Sequence, residues 1–285
     1  MNRRYLKSTL YAVAVFALLL FAPASQAFFV EPSSEASNPV DVIVIDPGHG
    51  GVDSGALGRG GLTEKDVVLG VAMGLRDVLR ERLPEVKVLL TRENDTFIPL
   101  EERIGLANSA HADIFISIHV NAARNKKASG VETFFLSYLP TDAEAMELAE
   151  AENRVVQQKS GKSDDEVNSE VATNDLKNIL HDLAQSVTHH ESSALAEAIQ
   201  VSMVKGTGRP DRGVKQAPFT VLEGASMPAV LVEVGFISNR REERWLKGVK
   251  VHKRIADSIA HGITEFAVEV NRRAARIKSD ERAER

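Results

Sequence analysis

The sequence contains no cysteine, which excludes disulfides, thiolate metal sites and a lipidated N-terminal cysteine. Any metal the chain binds must therefore sit on histidine, aspartate or glutamate. It also lacks an excess of positive charge: 35 Lys and Arg stand against 40 Asp and Glu, a net charge of −5, so nothing invites nucleic acid. A third absence is a hydrophobic run of bilayer length. The apolar stretch from Leu10 to Ala22 falls short of the roughly 20 residues that a membrane span needs. Arg3, Arg4 and Lys7 precede it and the small-residue site "ASQA" follows, ending at Ala27. That is the layout of a secretory signal peptide over residues 1–27 rather than of an uncleaved anchor. The twin arginines leave both the Sec and the twin-arginine routes open. Export is expected, to the periplasm or otherwise to the exterior or cell wall, with no stable membrane anchor once the signal is removed. Cleavage removes three basic residues and no acidic ones, taking the net charge from −5 to −8.

What remains is long enough for one large α/β domain with a sizeable core. After a polar linker over 28–40, apolar runs alternate with helical patterns across 41–270, and a charged tail occupies 271–285. Strands are expected at Asp41–Asp46, Lys87–Arg92, Asp113–Ala122, Gly130–Ser137 and Ala229–Ile237. Several of these runs, such as "VIVI", "IFISI" and "AVLVEV", are apolar at every position, as strands covered on both faces should be. Between them Val67, Val71, Leu75 and Leu79, and later Val251, Ile255, Ile259 and Ile263, recur at four-residue steps. The pattern predicts a three-layer α/β fold, a mostly parallel or mixed twisted sheet flanked by helices. No internal repeat is visible.

From 141 to 205 the alternation stops. The pattern there predicts an inserted helical hairpin, with Thr141 and Glu144 as a capping box and Asn174 capping the second helix. That helix carries the stripe Leu176, Ile179, Leu180, Leu183 and Val187 and is expected to stop at Gly206. The connection between the helices, "QQKSGKSDDEVNSEVATN", is polar and acidic.

Three groups with metal-binding chemistry sit at or just past expected strand ends, where open α/β sheets bind ligands. His49 follows "VIVIDPG", Glu64 opens the helix after a glycine-rich loop, and His119 ends "DIFISIH". Two imidazoles and a carboxylate make a zinc ligand set that leaves a fourth position open for water or substrate. Each also has an ordinary reading: a turn histidine, or a glutamate favouring a helix N-terminus. Glu233, inside the apolar run "PAVLVEVGFIS", is costly to bury unless paired or hydrogen-bonded. It reads either as a buried ion pair with Arg92 or Arg212, or as a general base beside a metal. The glycine loop could in principle cradle phosphate, but it lacks the Lys and Ser/Thr of a P-loop and would leave Glu233 unexplained.

Taken together, "VIVIDPGHGGVDSGALG", "TEKDVVL", "TR" with "LEERIGLAN", "ADIFISIHVNA", "GVETFFLS" and "MPAVLVEVGFISN" resemble the zinc-dependent N-acetylmuramoyl-L-alanine amidases of bacterial cell walls. The resemblance runs from Val42 to about Phe266, with the motifs in family order and spacing. It implies one Zn²⁺ held by His49, Glu64 and His119, with Glu233 catalytic. It also implies peptidoglycan as substrate, cut at the amide between N-acetylmuramic acid and the L-alanine of the stem peptide. The chain is expected to act as a monomer, and the alternative is a non-catalytic wall-binding or regulatory protein on the same fold. Some division-associated members carry an inserted helix that covers the zinc cleft until an activator protein withdraws it, and the 141–205 segment resembles that insert in position. Such autoinhibition would place a carboxylate from Glu152, Asp164, Asp165, Glu166 or Glu170 in the open metal position.

Overall fold

The computed structural model describes residues 40–160 and 175–283. The expected signal peptide, most of the linker, Asn174 and the acidic connection that includes Asp164, Asp165, Glu166 and Glu170 lie outside the described residues. Among the described residues no helix is long and apolar enough to cross a membrane.

The chain runs β1 (Val42–Pro47), α1 (Glu64–Arg82), β2 (Lys87–Leu90), α2 (Leu100–Ser109), β3 (Ile114–Asn121), β4 (Val131–Leu136), α3 (Ala143–Ser160), α4 (Asp175–Thr207), β5 (Asp211–Ala217), β6 (Ala229–Phe236), α5 (Arg240–Leu246) and α6 (Val249–Ala283), with a short 3-10 turn at Thr220–Leu222. The strands form one six-stranded sheet in the order β2-β1-β3-β6-β4-β5. All neighbours are parallel except β4 and β6, so β4 and β5 run against the other four strands. This is the mixed sheet flanked by helices that the sequence predicts.

Strand alternation sorts the core into two layers. Ile43 and Ile45 of β1, Ile114, Ile116 and Ile118 of β3, and Val230, Val232 and Val234 of β6 face α1, α4 and α6, whose Val71, Leu75, Ile199, Ile255 and Ile259 are fully buried against them. Val44, Phe115 and Leu231 point to the other face, where they join Ile104 and Ala107 of α2, Ala145 and Ala149 of α3, and Phe219. By the same parity Asp46, His119 and Glu233 belong to this second face, the one that α3 covers.

Three local expectations change. Strand β5, "DRGVKQA", is absent from the sequence reading because it is a charged edge strand with a glycine at φ 83° and no apolar alternation to reveal it. Helix α3 is capped by Asp142, whose carboxylate accepts the Ala145 N–H at 2.7 Å. Thr141 instead accepts from Gln216 N–H at 2.8 Å, tying the helix start to β5. Helix α4 continues through Gly206 to Thr207 and ends at Gly208, which has φ 65°.

The hairpin thus has two parts. Parallel strands need a crossover, and α4 supplies the return from β4 to β5 while burying Leu195, Ala196, Ile199 and Met203 in the first core layer. Helix α3 is additional, seated on the second layer mainly through Ala145 and Ala149. The side chains of the expected α4 stripe from Leu176 to Val187 lie outside the description.

Candidate active site

The loop after β1 is shaped around side chains rather than around empty space. His49 adopts φ 57°, a left-handed conformation uncommon for a residue with a side chain. Gly48 has no alternative here, because a Cβ on it would lie 2.5 Å from the His119 ring. At Gly55 (φ 61°) a Cβ would lie 2.6 Å from the His49 ring and 2.7 Å from Glu64 Oε2. The glycines therefore let two imidazoles and a carboxylate pack against backbone.

Two buried arginines hold the loop down by its carbonyls. Arg92 donates to Pro47 O at 2.9 Å and Gly48 O at 2.7 Å. Arg103 donates to Asp46 at 3.0 Å, to Pro47 O at 2.9 Å and to His49 O at 2.8 Å. Asp46 also accepts from Thr91 at 2.6 Å and Ser117 at 2.8 Å. Burial alone would raise the Asp46 pKa, but Arg103 and the two hydroxyls override it and hold the carboxyl below its usual range. A depressed folded pKa stabilises the fold above the ordinary carboxylate pKa, and that contribution is lost as pH falls through the lower folded value. Arg103→Leu should destabilise the protein by ~3–5 kcal/mol, because it strands Asp46 as an uncompensated buried charge. Chemical denaturation checks this, and a loss below about 1 kcal/mol would show that the pair does not anchor the loop.

His49, Glu64 and His119 meet at the carboxyl edge of the sheet, all buried. Asp53 Oδ2 lies 2.8 Å from His49 Nδ1 and so fixes the ring with Nε2 turned inward. Glu64 Oε2 accepts from Ala56 N–H and Oε1 from Val120 N–H, both at 2.8 Å. Val120 lies beyond the last β1–β3 register pair, Pro47 with Ile118, where β1 has already turned away into its loop. Glu64 Oε1 is 3.1 Å from His49 Nε2 and 3.2 Å from His119 Nδ1.

A fourth group joins them from α3: Glu152 Oε2 lies 3.4 Å from His49 Nε2 and 3.2 Å from His119 Nδ1. The ligand atoms of His49, Glu64, His119 and Glu152 all fall within 4.8 Å of one another. His49 Nε2 and His119 Nδ1 are buried and have no hydrogen-bond partner among the described residues. Burial would depress both imidazoles, but Glu64 and Glu152 outweigh it at His49, and Glu152 with Glu64 pushes His119 up to about 10. The pocket is thus built to hold positive charge. Two inward-facing nitrogens with no hydrogen-bond partner among the described residues, two carboxylates and no thiolate suit a borderline cation such as zinc.

Glu233 is 0% exposed, and neither carboxylate oxygen has a hydrogen-bond partner among the described residues. It stands opposite His119 on the neighbouring parallel strand, and burial pushes its pKa well above the usual carboxylate value. The ion pairs considered from the sequence are not made: Arg92 is spent on loop carbonyls, and Arg212 pairs with Glu132 and Glu144.

Sequence reading missed the supporting groups. Asp53, four residues after His49 in "HGGVD", was visible as an i,i+4 acid, whereas the roles of Asp46, Arg92 and Arg103 depend on tertiary contacts.

The family model for N-acetylmuramoyl-L-alanine amidase matches residues 43–265. N-acetylmuramoyl-L-alanine amidase AmiA of Escherichia coli (strain K12) is 39% identical over 240 residues, covering 83% of this chain and 79% of its own length. The amidase LytC of Bacillus subtilis (strain 168) is 33% identical over 238 residues, 82% of this chain and 37% of its own. Among solved structures, the catalytic domain of the amidase CwlV from Bacillus (Paenibacillus) polymyxa var. colistinus superposes with a TM-score of 0.58 at 30% identity, covering 81% of this chain and 99% of that one.

Proposed function

The chain belongs to the N-acetylmuramoyl-L-alanine amidase family and is a peptidoglycan hydrolase, and from that premise we propose that it is a one-zinc enzyme restrained by its own helix α3. The observation that carries the zinc reading is the cluster of four ligand atoms within 4.8 Å, two of them buried imidazole nitrogens with no hydrogen-bond partner among the described residues. His49, Glu64 and His119 would hold the ion. Zinc in such a site supplies Lewis-acid polarisation of the scissile carbonyl and lowers the pKa of a water towards ~7.

The chain's own groups supply the rest. Asp53 fixes the His49 tautomer, and the two backbone amides on Glu64 hold its carboxylate in place. Glu233 acts as general base and then general acid: it takes a proton from the attacking water and delivers it to the alanine nitrogen as the amide C–N bond breaks. The products are the lactyl carboxylate of muramic acid and a stem peptide with a free amine. A carboxyl whose pKa is raised by burial is suited to accepting that proton and giving it up again. Elemental analysis tests the metal assignment: about one zinc per purified chain is expected, and metal-free protein with full activity would refute it. The segment over 41–270 is the catalytic domain in this reading. Residues 1–27 are a signal peptide that directs the chain to the envelope, where it acts as a monomer.

Restraint is supported by the position of Glu152. Its carboxylate sits where a fourth ligand would, and α3 is fastened around it. Asn153 donates to Pro218 O at 2.8 Å and accepts from Thr220 N–H at 2.9 Å. Asp142 pairs with Lys215, Glu144 with Arg212, and Glu147 with Arg124. With α3 seated, Glu152 competes with water and substrate, so the seated state is inactive. An activator protein can open the site only by binding the lifted state more tightly than the seated one. Glu152→Ala should raise basal turnover on purified wall about tenfold or more, in line with a typical coupling of ~1–3 kcal/mol. Replacing "QQKSGKSDDEVNSEVATN" by a short Gly/Ser linker should act in the same direction. Unchanged or lower turnover by both folded, zinc-loaded variants would leave α3 as a structural or substrate-gripping element.

A further inference from the structure

A second cavity, of about 680 Å³, opens beside the loops that follow β3 and β6. Its walls carry Arg59 from the glycine loop, Lys126 and Lys127 from the loop after β3, Arg209 ahead of β5, and Arg240 and Arg241 at the start of α5. In a chain of net charge −5, this is a local excess of cations. Its one acidic lining residue, Glu242, is already committed: Oε1 accepts from Gly130 N–H at 3.0 Å and Arg209 at 3.4 Å, and Oε2 from Phe236 N–H at 2.7 Å. Among the described residues the other five cations make no ion pair, and like charges gathered without counter-ions repel one another.

Two further atoms of lining residues, both closed to solvent, have no hydrogen-bond partner among the described residues. Ser238 is 8% exposed, and its Oγ is buried with no hydrogen bond; the same holds for Arg209 Nε. The Arg209 guanidinium is held rigid by Glu242 and by stacking on the Trp245 ring, 4.8 Å from its centroid. A fixed guanidinium, an uncommitted serine hydroxyl beside it and five cations with no ion pair among the described residues are the parts of an anion site.

We propose that this cavity binds the free carboxylates of the stem peptide, the acidic peptide joined to the bond that the enzyme cuts. The volume lies within the ~300–1,000 Å³ of ordinary ligand pockets, enough for part of a peptide rather than a single ion. The distance also fits. Ser238 follows Glu233 by five residues, so at ~3.3 Å per residue the cavity lies within about 17 Å of the catalytic carboxyl, a span an extended stem peptide can cover. Glycan sugars carry no charge once the lactyl group is amidated, so the substrate's anions lie on its peptide arm. The arm would then run from the metal cluster towards α5, making Arg209 and Ser238 specificity determinants that favour stems with free over amidated carboxylates. The proposal rests on the peptidoglycan amidase activity but not on the metal ligands or on α3.

The test is calorimetric titration of an isolated stem peptide, L-Ala–D-Glu–diamino acid, and of its carboxyl-amidated counterpart, into the full chain. Wild type and Glu152→Ala are both titrated, so that the Glu152 carboxylate at the metal cluster cannot mask binding of the peptide's N-terminal end. The isolated peptide has no scissile bond, so binding is read without turnover. A separate product assay on purified wall reports the amidase activity independently. The free peptide should bind about tenfold more tightly than the amidated one, the difference expected from hydrogen bonds to a charged group. Affinity should fall as salt rises. Ser238→Ala and the double variant Lys126→Gln/Arg241→Gln should erase the preference while unfolding like wild type. Equal affinity for the two peptides, no binding in either background, or a preference that survives both variants would overturn the proposal. Binding of inorganic phosphate that the free peptide cannot displace would overturn it too, assigning the cavity to a phosphate-bearing ligand.

Discussion

Glu233→Gln is expected to lower amidase turnover by ~10²- to 10⁴-fold, the usual contribution of a positioned proton-transfer group. Zinc content should stay the same, because Glu233 is a neighbour of His119 in the sheet rather than a member of the four-atom cluster. Stability should hold or rise. The carboxylate is fully buried with no hydrogen-bond partner among the described residues, and an amide of the same shape is cheaper to desolvate than a charge. A residue conserving the fold through an ion pair would behave the other way, and its neutralisation would unfold the protein. Turnover per folded molecule and thermal unfolding, measured on the same preparation, separate the two. Normal per-molecule activity in a destabilised variant would remove Glu233 from the chemistry.

His119→Ala should abolish stoichiometric zinc binding and, with it, activity. Loss of a supporting hydrogen bond around a metal ligand typically costs ~10–100-fold in metal affinity or activity, and loss of the ligand itself should exceed that. Asp53→Ala gives the smaller effect on the same scale: it frees the His49 ring, now fixed by the 2.8 Å contact to Nδ1, without removing a donor from the cluster. Competition with a chromophoric chelator would read both affinities. The expected order is wild type, then Asp53→Ala, then His119→Ala. Zinc affinity in His119→Ala equal to wild type would place the ion elsewhere.

Why some of this was legible in the sequence and some was not follows from the range of the interactions. Fully buried parallel strands announce themselves as unbroken apolar runs, so β1, β3 and β6 stand out, and the residues at their ends draw attention because His49, His119 and Glu233 contrast with what surrounds them. Strand β5 has no such contrast. Its partner β4 and the ion pairs of Arg212 and Lys215 hold it in place, and neither leaves a local pattern. The hairpin shows the same division. Two helices could be read from periodicity, but only the sheet topology shows that α4 is the crossover required to return the chain to β5. Of the five carboxylates proposed to reach the metal position, nothing in their spacing singled out Glu152. What places it is the burial of Ala145 and Ala149, about two turns and one turn before it on α3. The role of the arginines beneath the β1 loop was hidden for a different reason. Apart from Asp46, which Arg103 also reaches, their partners are backbone carbonyls such as those of Pro47, Gly48 and His49, which exist in every sequence and mark none.

The most direct test of a zinc amidase built on His49, Glu64, His119 and Glu233 is mass spectrometry of muropeptides from purified wall incubated with the mature protein. It should be run alone, with a chelator, and with chelator followed by zinc. Stem peptides with a free L-alanine amine should appear together with glycan strands carrying free lactyl carboxyl groups, their release should stop with chelator, and zinc should restore it. Glu152→Ala should give the same products in larger amount. Cleavage at a glycosidic or peptide–peptide bond, or amide cleavage indifferent to chelator and zinc, would contradict the assignment.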